Sequence, residues 1–117
     1  MGYRSEVAIK CEEKAYEMLR ETCNQVRLIP DAIYKDEEYF IFYWDWIKWY
    51  DTYYEIIAIE NTMSKLDDLG NEPGYGYRFM RLGEDDTDVE TRQNNYDIEL
   101  WMIRKIDIPE GLEEINY

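Results

Sequence analysis

An α+β fold is what this sequence predicts: an antiparallel or mixed sheet of about five strands with two helices packed on one of its faces. Three observations lead there. The spacing of apolar residues switches repeatedly between every second position, as in a strand, and every third or fourth, as in a helix. The segments follow the order β-α-β-β-α-β-β, with hairpin-like spacing between neighbouring strands and two helical stretches to cover them. The chain has 117 residues, 45% of them hydrophobic, and no repeat or low-complexity linker divides it, so residues 1–117 are expected to share one core as a single domain.

The opening segment GYRSEVAIKC places Tyr3, Val7, Ile9 and Cys11 at alternate positions, a first strand with one buried face. EEKAYEMLRETCNQV changes to helical spacing: Ala15, Met18, Leu19, Thr22 and Val26 make one stripe, with acids and bases opposite, and Pro30 stops the helix. DAIYKDEEYFIFYWDW reads as a short strand, a polar turn at Lys35 to Glu38 and a long strand. Along the long strand Phe40, Phe42, Trp44 and Trp46 share one aromatic face that should be core, and Tyr39, Ile41, Tyr43, Asp45 and Ile47 share the other. That pattern suits a central strand covered on one side by helices. Asp51 stands where an N-cap would, TYYEIIAIENTMSKLDDL carries Ile56, Ile59, Met63 and Leu66 at helical steps, and Gly70 closes this second helix. After the turn NEPG, YGYRFMRLG is a strand with Tyr77, Phe79 and Arg81 on one side and Arg78, Met80 and Leu82 on the other. EDDTDVETRQNN is an acidic loop or short helix, YDIELWMIRKIDI a last long strand ended by Pro109, and EGLEEINY a short tail.

Charge is the most pronounced compositional feature. Twenty-seven acidic residues against thirteen basic ones give a net charge of −14. Residues 1–50 carry ten acids and seven bases, and residues 51–117 carry seventeen and six, so the second part holds −11 of the total. Such a surface repels phosphate backbones and anionic lipid, which speaks against direct nucleic-acid or membrane binding. It attracts basic surfaces, many of which hold nucleic acid, and it also supplies solubility with no partner at all. No apolar run reaches the ~18 residues of a membrane span, and the charged N-terminal segment lacks the apolar stretch of a secretory signal. Cys11 and Cys23 are the only cysteines, and they suit reduced, partly buried positions in a cytosolic protein.

Histidine is absent, which removes the commonest general base and zinc ligand together. No Walker loop, dinucleotide-binding glycine pattern or nucleophile elbow occurs. No catalytic residue, metal ligand or cofactor is therefore assigned, and a non-enzymatic role is expected. Two segments stand out as candidate sites. In GEDDTDVE, Glu84, Asp85, Asp86, Asp88 and Glu90 crowd together. Carboxylates that dense can bind Mg²⁺ or Ca²⁺, but the spacing is not that of an EF-hand. A solvated loop and a docking surface for a basic partner both fit, and mutual repulsion calls for compensation by Arg78, Arg81 or Arg92. At the strand-to-helix corner Trp46, Trp49 and Tyr50, with Tyr53 and Tyr54, supply rings that can anchor a protein interface or stack on a base. With only Lys48 nearby to meet phosphate, an interface is the better match.

Three segments in order, MGYRSEVAI, YWDWIKWYD and YRFMRLGEDDTDVE, resemble a group of small bacteriophage and prophage proteins. Those proteins open with MGYRS, carry K-W-Y before a helix and carry R-x-G-E-D after a strand. No catalytic residue comes with the resemblance. What it implies is origin: a phage accessory protein acting in the cytoplasm of the bacterial host. By analogy, small acidic phage proteins without enzymatic motifs occupy a host protein, as inhibitors of CRISPR nucleases and restriction enzymes do. The expected partner is then a basic, nucleic-acid-binding host defence protein. Glu84 to Glu90 would dock on it with support from Asp67, Asp68 and Glu72, and Trp46, Trp49 and Tyr50 would anchor the contact. The alternative is a sponge for nucleotide signals, with tyrosines and tryptophans stacking the base and Arg78 or Arg81 meeting phosphate. A metal-dependent hydrolase using the acidic loop stands further off, and a tyrosine-rich sheet face equally suits a homodimer interface.

Overall fold

The computed structural model describes residues 2–95, 97–98 and 112–117 and arranges them as two helices against a six-stranded sheet. Along the chain these are β1 (Ser5–Cys11), α1 (Glu13–Val26), β2 (Ala32–Asp36), β3 (Tyr39–Ile47), α2 (Tyr54–Asp68), β4 (Tyr77–Gly83), β5 (Val89–Gln93) and β6 (Glu113–Ile115). In space the strands run β5-β4-β1-β3-β2-β6, and every pairing is antiparallel. The predicted α+β class holds. Both helices lie on one face: Ala15, Leu19 and Cys23 of α1 and Ile56, Ile59, Met63 and Leu66 of α2 share a core with Val7, Ile9, Phe42, Trp44, Tyr77 and Phe79.

Several elements differ from the sequence reading. EDDTDVETRQNN is neither loop nor short helix throughout, because its second part is β5, paired with β4 through Leu82↔Val89 and Arg81↔Glu90. The charged residues hid a strand whose β-branched Val89 and Thr91 suit the pleat. The tail is not structureless either: β6 adds to the sheet edge with Ile115 opposite Ile33. The predicted long strand from residue 96 to 108 falls largely outside the described residues. Asp51 does not cap α2. A turn closed by Tyr53 N–H donating to the Tyr50 carbonyl at 3.0 Å delays the helix to Tyr54, and Tyr53 takes the cap position without a side-chain bond.

The aromatic run along β3 is mainly core. Tyr16 stacks on Phe40 with centroids 4.0 Å apart, Phe42 follows Trp44 at 6.0 Å, Trp44 meets Trp49 at 5.5 Å, and Trp49 meets Phe79 at 5.8 Å. A fully buried ring of this size contributes roughly 1.5–3 kcal/mol, so this line of side chains is a principal support of the helix-covered face. Strand β1, predicted to bury one face, is buried on both. Ala8 joins Ile41, Met80 and Leu82 in a second cluster on the reverse face, against which Tyr34, Tyr43 and Leu112 pack. Tyr34 and Tyr43 are half-buried on that face.

One face assignment is overturned at the end of β3. Val7 pairs with Trp44 but Ser5 with Ile47, so two steps on β1 oppose three on β3. The extra residue is taken up as a bulge, with Trp46 at φ 61°. Beyond it the alternation inverts. Ile47 turns to the helix-covered core, and Trp46, predicted to continue the buried aromatic face, is 51% exposed.

Candidate functional site

The two segments singled out in the sequence meet in part: Asp88 and Glu90 of the acidic run face Trp49 and Tyr50 of the corner, whereas Trp46, Glu84, Asp85 and Asp86 do not line the shared cleft. Residues before β1, the corner between β3 and α2, and the hairpin between β4 and β5 converge on a cleft of about 450 Å³. Tyr3, Trp49, Tyr50, Asp51, Thr52, Glu60, Arg81, Asp88 and Glu90 line it. Alternation in β4 explains the placing of Arg81: it lies on the same side as Tyr77 and Phe79, beyond the apolar part of the face.

Arg81 organises the hairpin. Its Nη2 donates to Asp88 Oδ1 at 2.8 Å and its Nη1 to Asp88 Oδ2 at 3.0 Å, a forked pair. Nε donates to Glu90 Oε1 at 2.9 Å, and Nη1 also reaches Ser5 Oγ at 2.9 Å. These carboxylates hold the guanidinium pKa above its ordinary value against the opposing effect of burial. Tyr3 adds a fourth strut, its hydroxyl donating to Asp88 Oδ2 at 2.7 Å and accepting from the Asp85 N–H at 3.0 Å. Glycine at position 83 leaves room for this network, because a Cβ there would displace the Asp88 carboxylate and the Tyr3 hydroxyl. Arg81 thus offsets the repulsion between Asp88 and Glu90. Arg92 instead binds Asp67 at 2.8 Å, and Arg78 donates to the Ile98 carbonyl at 3.2 Å.

The remaining predicted site residues divide by role. Glu84 accepts from the Arg4 backbone N–H at 2.6 Å, and Asp85 Oδ1 accepts from Thr87 N–H and Oγ1 at 3.0 and 2.9 Å, shaping the turn. Asp86 is exposed at its tip. Arg4 bridges the Trp46 backbone and this turn: its Nη1 donates to the Trp46 carbonyl at 3.2 Å and its backbone N–H to Glu84. Tyr50 is half-buried beside Tyr53, with centroids 5.0 Å apart. Trp49 is only 9% exposed, part of the core rather than an open anchor.

Tyr3 and Glu60 were missed as site residues. Tyr3 lies more than 80 positions from its partners, and Glu60 sits on the polar side of a helix, so neither carries a local motif. Glu60 has its carboxyl pKa raised by burial and by the negative charges of Glu90 and Asp51, with Arg92 opposing. Among the described residues no group of three or more Asp, Glu or Cys side chains is arranged to hold a metal ion, and no helix is long and apolar enough to cross a membrane. No protein-family model matches the chain, and no curated protein or solved structure is significantly similar to it.

Proposed function

We propose that this chain is a non-enzymatic phage accessory protein that binds and inhibits a host defence protein in the bacterial cytoplasm. Its acidic surface would compete with nucleic acid for a basic groove of a CRISPR nuclease or restriction enzyme. The observation that carries this reading is an exposed Trp46 whose backbone carbonyl is tied by the Arg4 side chain to the strand end where the Arg4 N–H holds Glu84 of the acidic turn. Trp46 is a large ring, half exposed, held in a left-handed conformation that costs a non-glycine residue roughly 1–2 kcal/mol. A strained and exposed tryptophan gains little for folding, which favours a role in contact. Exposed ion pairs yield only ~0–1 kcal/mol each, so the carboxylates steer association while the indole supplies the desolvated anchor.

The nucleotide-sponge alternative has weaker support, because Arg81, the cation that lines the cleft, is already engaged by Asp88 and Glu90. A test is phage plating on strains with an active CRISPR or restriction system while the protein is expressed. Wild type should restore plating, and Trp46→Ala should restore it far less at equal protein level. Failure of the wild type to relieve either system would refute the reading.

A further inference from the structure

We infer that the cleft between the β3–α2 corner and the β4–β5 hairpin is a binding site for an organic cation, an ammonium or guanidinium group on an aliphatic stem. The inference does not depend on the inhibitor reading. A volume of about 450 Å³ is in the range of small-ligand sites and larger than one amine group needs, leaving room for the stem. Tyr3, Tyr50 and the largely buried Trp49 are the aromatic residues of the lining, and an aromatic ring attracts a cation through its quadrupole.

Charge points the same way. Asp51, Glu60, Asp88 and Glu90 set four carboxylates against the single guanidinium of Arg81, leaving the lining formally at −3. Arg81 is occupied by Asp88 and Glu90, whereas Asp51 and Glu60 make no side-chain hydrogen bond to another described residue. The two come from different elements, the corner and α2, so the lining is not simply one acidic run. Burial and the Glu90 and Asp51 carboxylates raise the Glu60 pKa against the opposing charge of Arg92. A phosphate would meet that negative lining and find its one guanidinium taken. A bare divalent ion would need a tight shell of ligands, and none of three or more is arranged among the described residues. An organic cation needs no such shell, because it can divide its contacts between ring faces and separated carboxylates.

The same chemistry can arrive as a free polyamine or as a lysine or arginine side chain of a partner. Calorimetric titration of the full chain near physiological ionic strength separates the sources. The probes are spermidine and agmatine as free cations, N-acetyl-lysine and N-acetyl-arginine methylamides as peptide-borne ones, and ATP as the anionic control. Saturable one-to-one binding of a cation is expected. It should weaken about tenfold in Glu60→Gln or Asp51→Asn, but less than twofold in Glu114→Gln, which removes the same charge from β6 at the opposite edge of the sheet. Binding of the methylamides as tight as that of the free amines assigns the cleft to a partner's side chain, and binding of the free amines alone assigns it to a small molecule. Non-saturating heats, equal losses in all three variants or preferential binding of ATP would each overturn the inference.

Discussion

Replacing Arg81 with methionine keeps the aliphatic bulk of the side chain and removes the guanidinium on which the β4–β5 hairpin is built. That side chain is 15% exposed, while Asp88 and Glu90 are 33% and 49% exposed. Charge-assisted bonds are worth ~1.5–3 kcal/mol when sheltered and ~0.2–1 when open to water. The forked Asp88 pair lies between these limits and the Glu90 bond nearer the lower one. Loss of both, with Asp88 and Glu90 left to repel one another, should cost about 2–3 kcal/mol. For a chain of this size that lowers Tm by about 8–12 °C. Urea unfolding followed by tryptophan fluorescence gives the cost directly. A double-mutant cycle with Asp88→Asn should return a coupling of about 1–2 kcal/mol, partly lost at high salt. A loss below about 0.5 kcal/mol, or strict additivity with Asp88→Asn, would show that other contacts hold the hairpin and that Arg81 is not its organiser.

Trp46→Gly removes an exposed ring and relaxes a left-handed backbone, so stability should stay level or rise by up to ~1 kcal/mol despite the lost aromatic. A drop of more than about 1 kcal/mol in urea unfolding would mean that the indole is structural. Glu60 has a folded pKa above its unfolded value, so it favours folding fully only below about pH 4, and that contribution fades as pH rises through the folded pKa. Glu60→Gln should therefore melt higher than wild type at pH 7, with the difference closing toward pH ~4, and a lower Tm at pH 7 would contradict the assignment. Cys11 and Cys23 are buried, with burial raising the Cys11 pKa and pushing the Cys23 thiol up to about 12. Native protein should react with a disulfide reagent at pH 8 far more slowly than protein in denaturant, and rapid modification of the native chain would place a thiol nearer the surface.

The fold was legible where period and apolar content agreed. Ile56, Ile59, Met63 and Leu66 recur at helical steps and are buried as that spacing demands, and Phe42, Trp44, Tyr77 and Phe79 alternate into the same core. The failures have local causes. A bulge leaves no mark on composition, so alternation carried through Trp46 put it on the buried side when one extra residue had turned it out. Strand β5 was hidden because Glu90 and Arg92 belong to the outermost of the described strands beyond β4, where charged side chains are tolerated. In α1 the buried stripe includes Tyr16 and Cys23, while Thr22 and Val26 are only half-buried, a modest rotation about the helix axis. The candidate site was visible as two segments but not as one place. The acids at 84–90 and the aromatics at 46–50 were each conspicuous, whereas the meeting of Asp88 and Glu90 with Trp49 and Tyr50 in a cleft depends on the antiparallel order that sets β4 beside β1 and on contacts from Tyr3 across the chain.

The central claim is that an acidic surface with an exposed tryptophan binds a basic, nucleic-acid-binding host protein. Affinity capture tests it most directly: tagged wild type and Trp46→Ala protein incubated with nuclease-treated bacterial lysate, washed at low and high salt, and read by mass spectrometry. A basic nucleic-acid-binding protein should be held by the wild type at low salt, reduced at high salt and largely lost with Trp46→Ala. Retention of no such protein, or retention indifferent to both salt and Trp46→Ala, would contradict it.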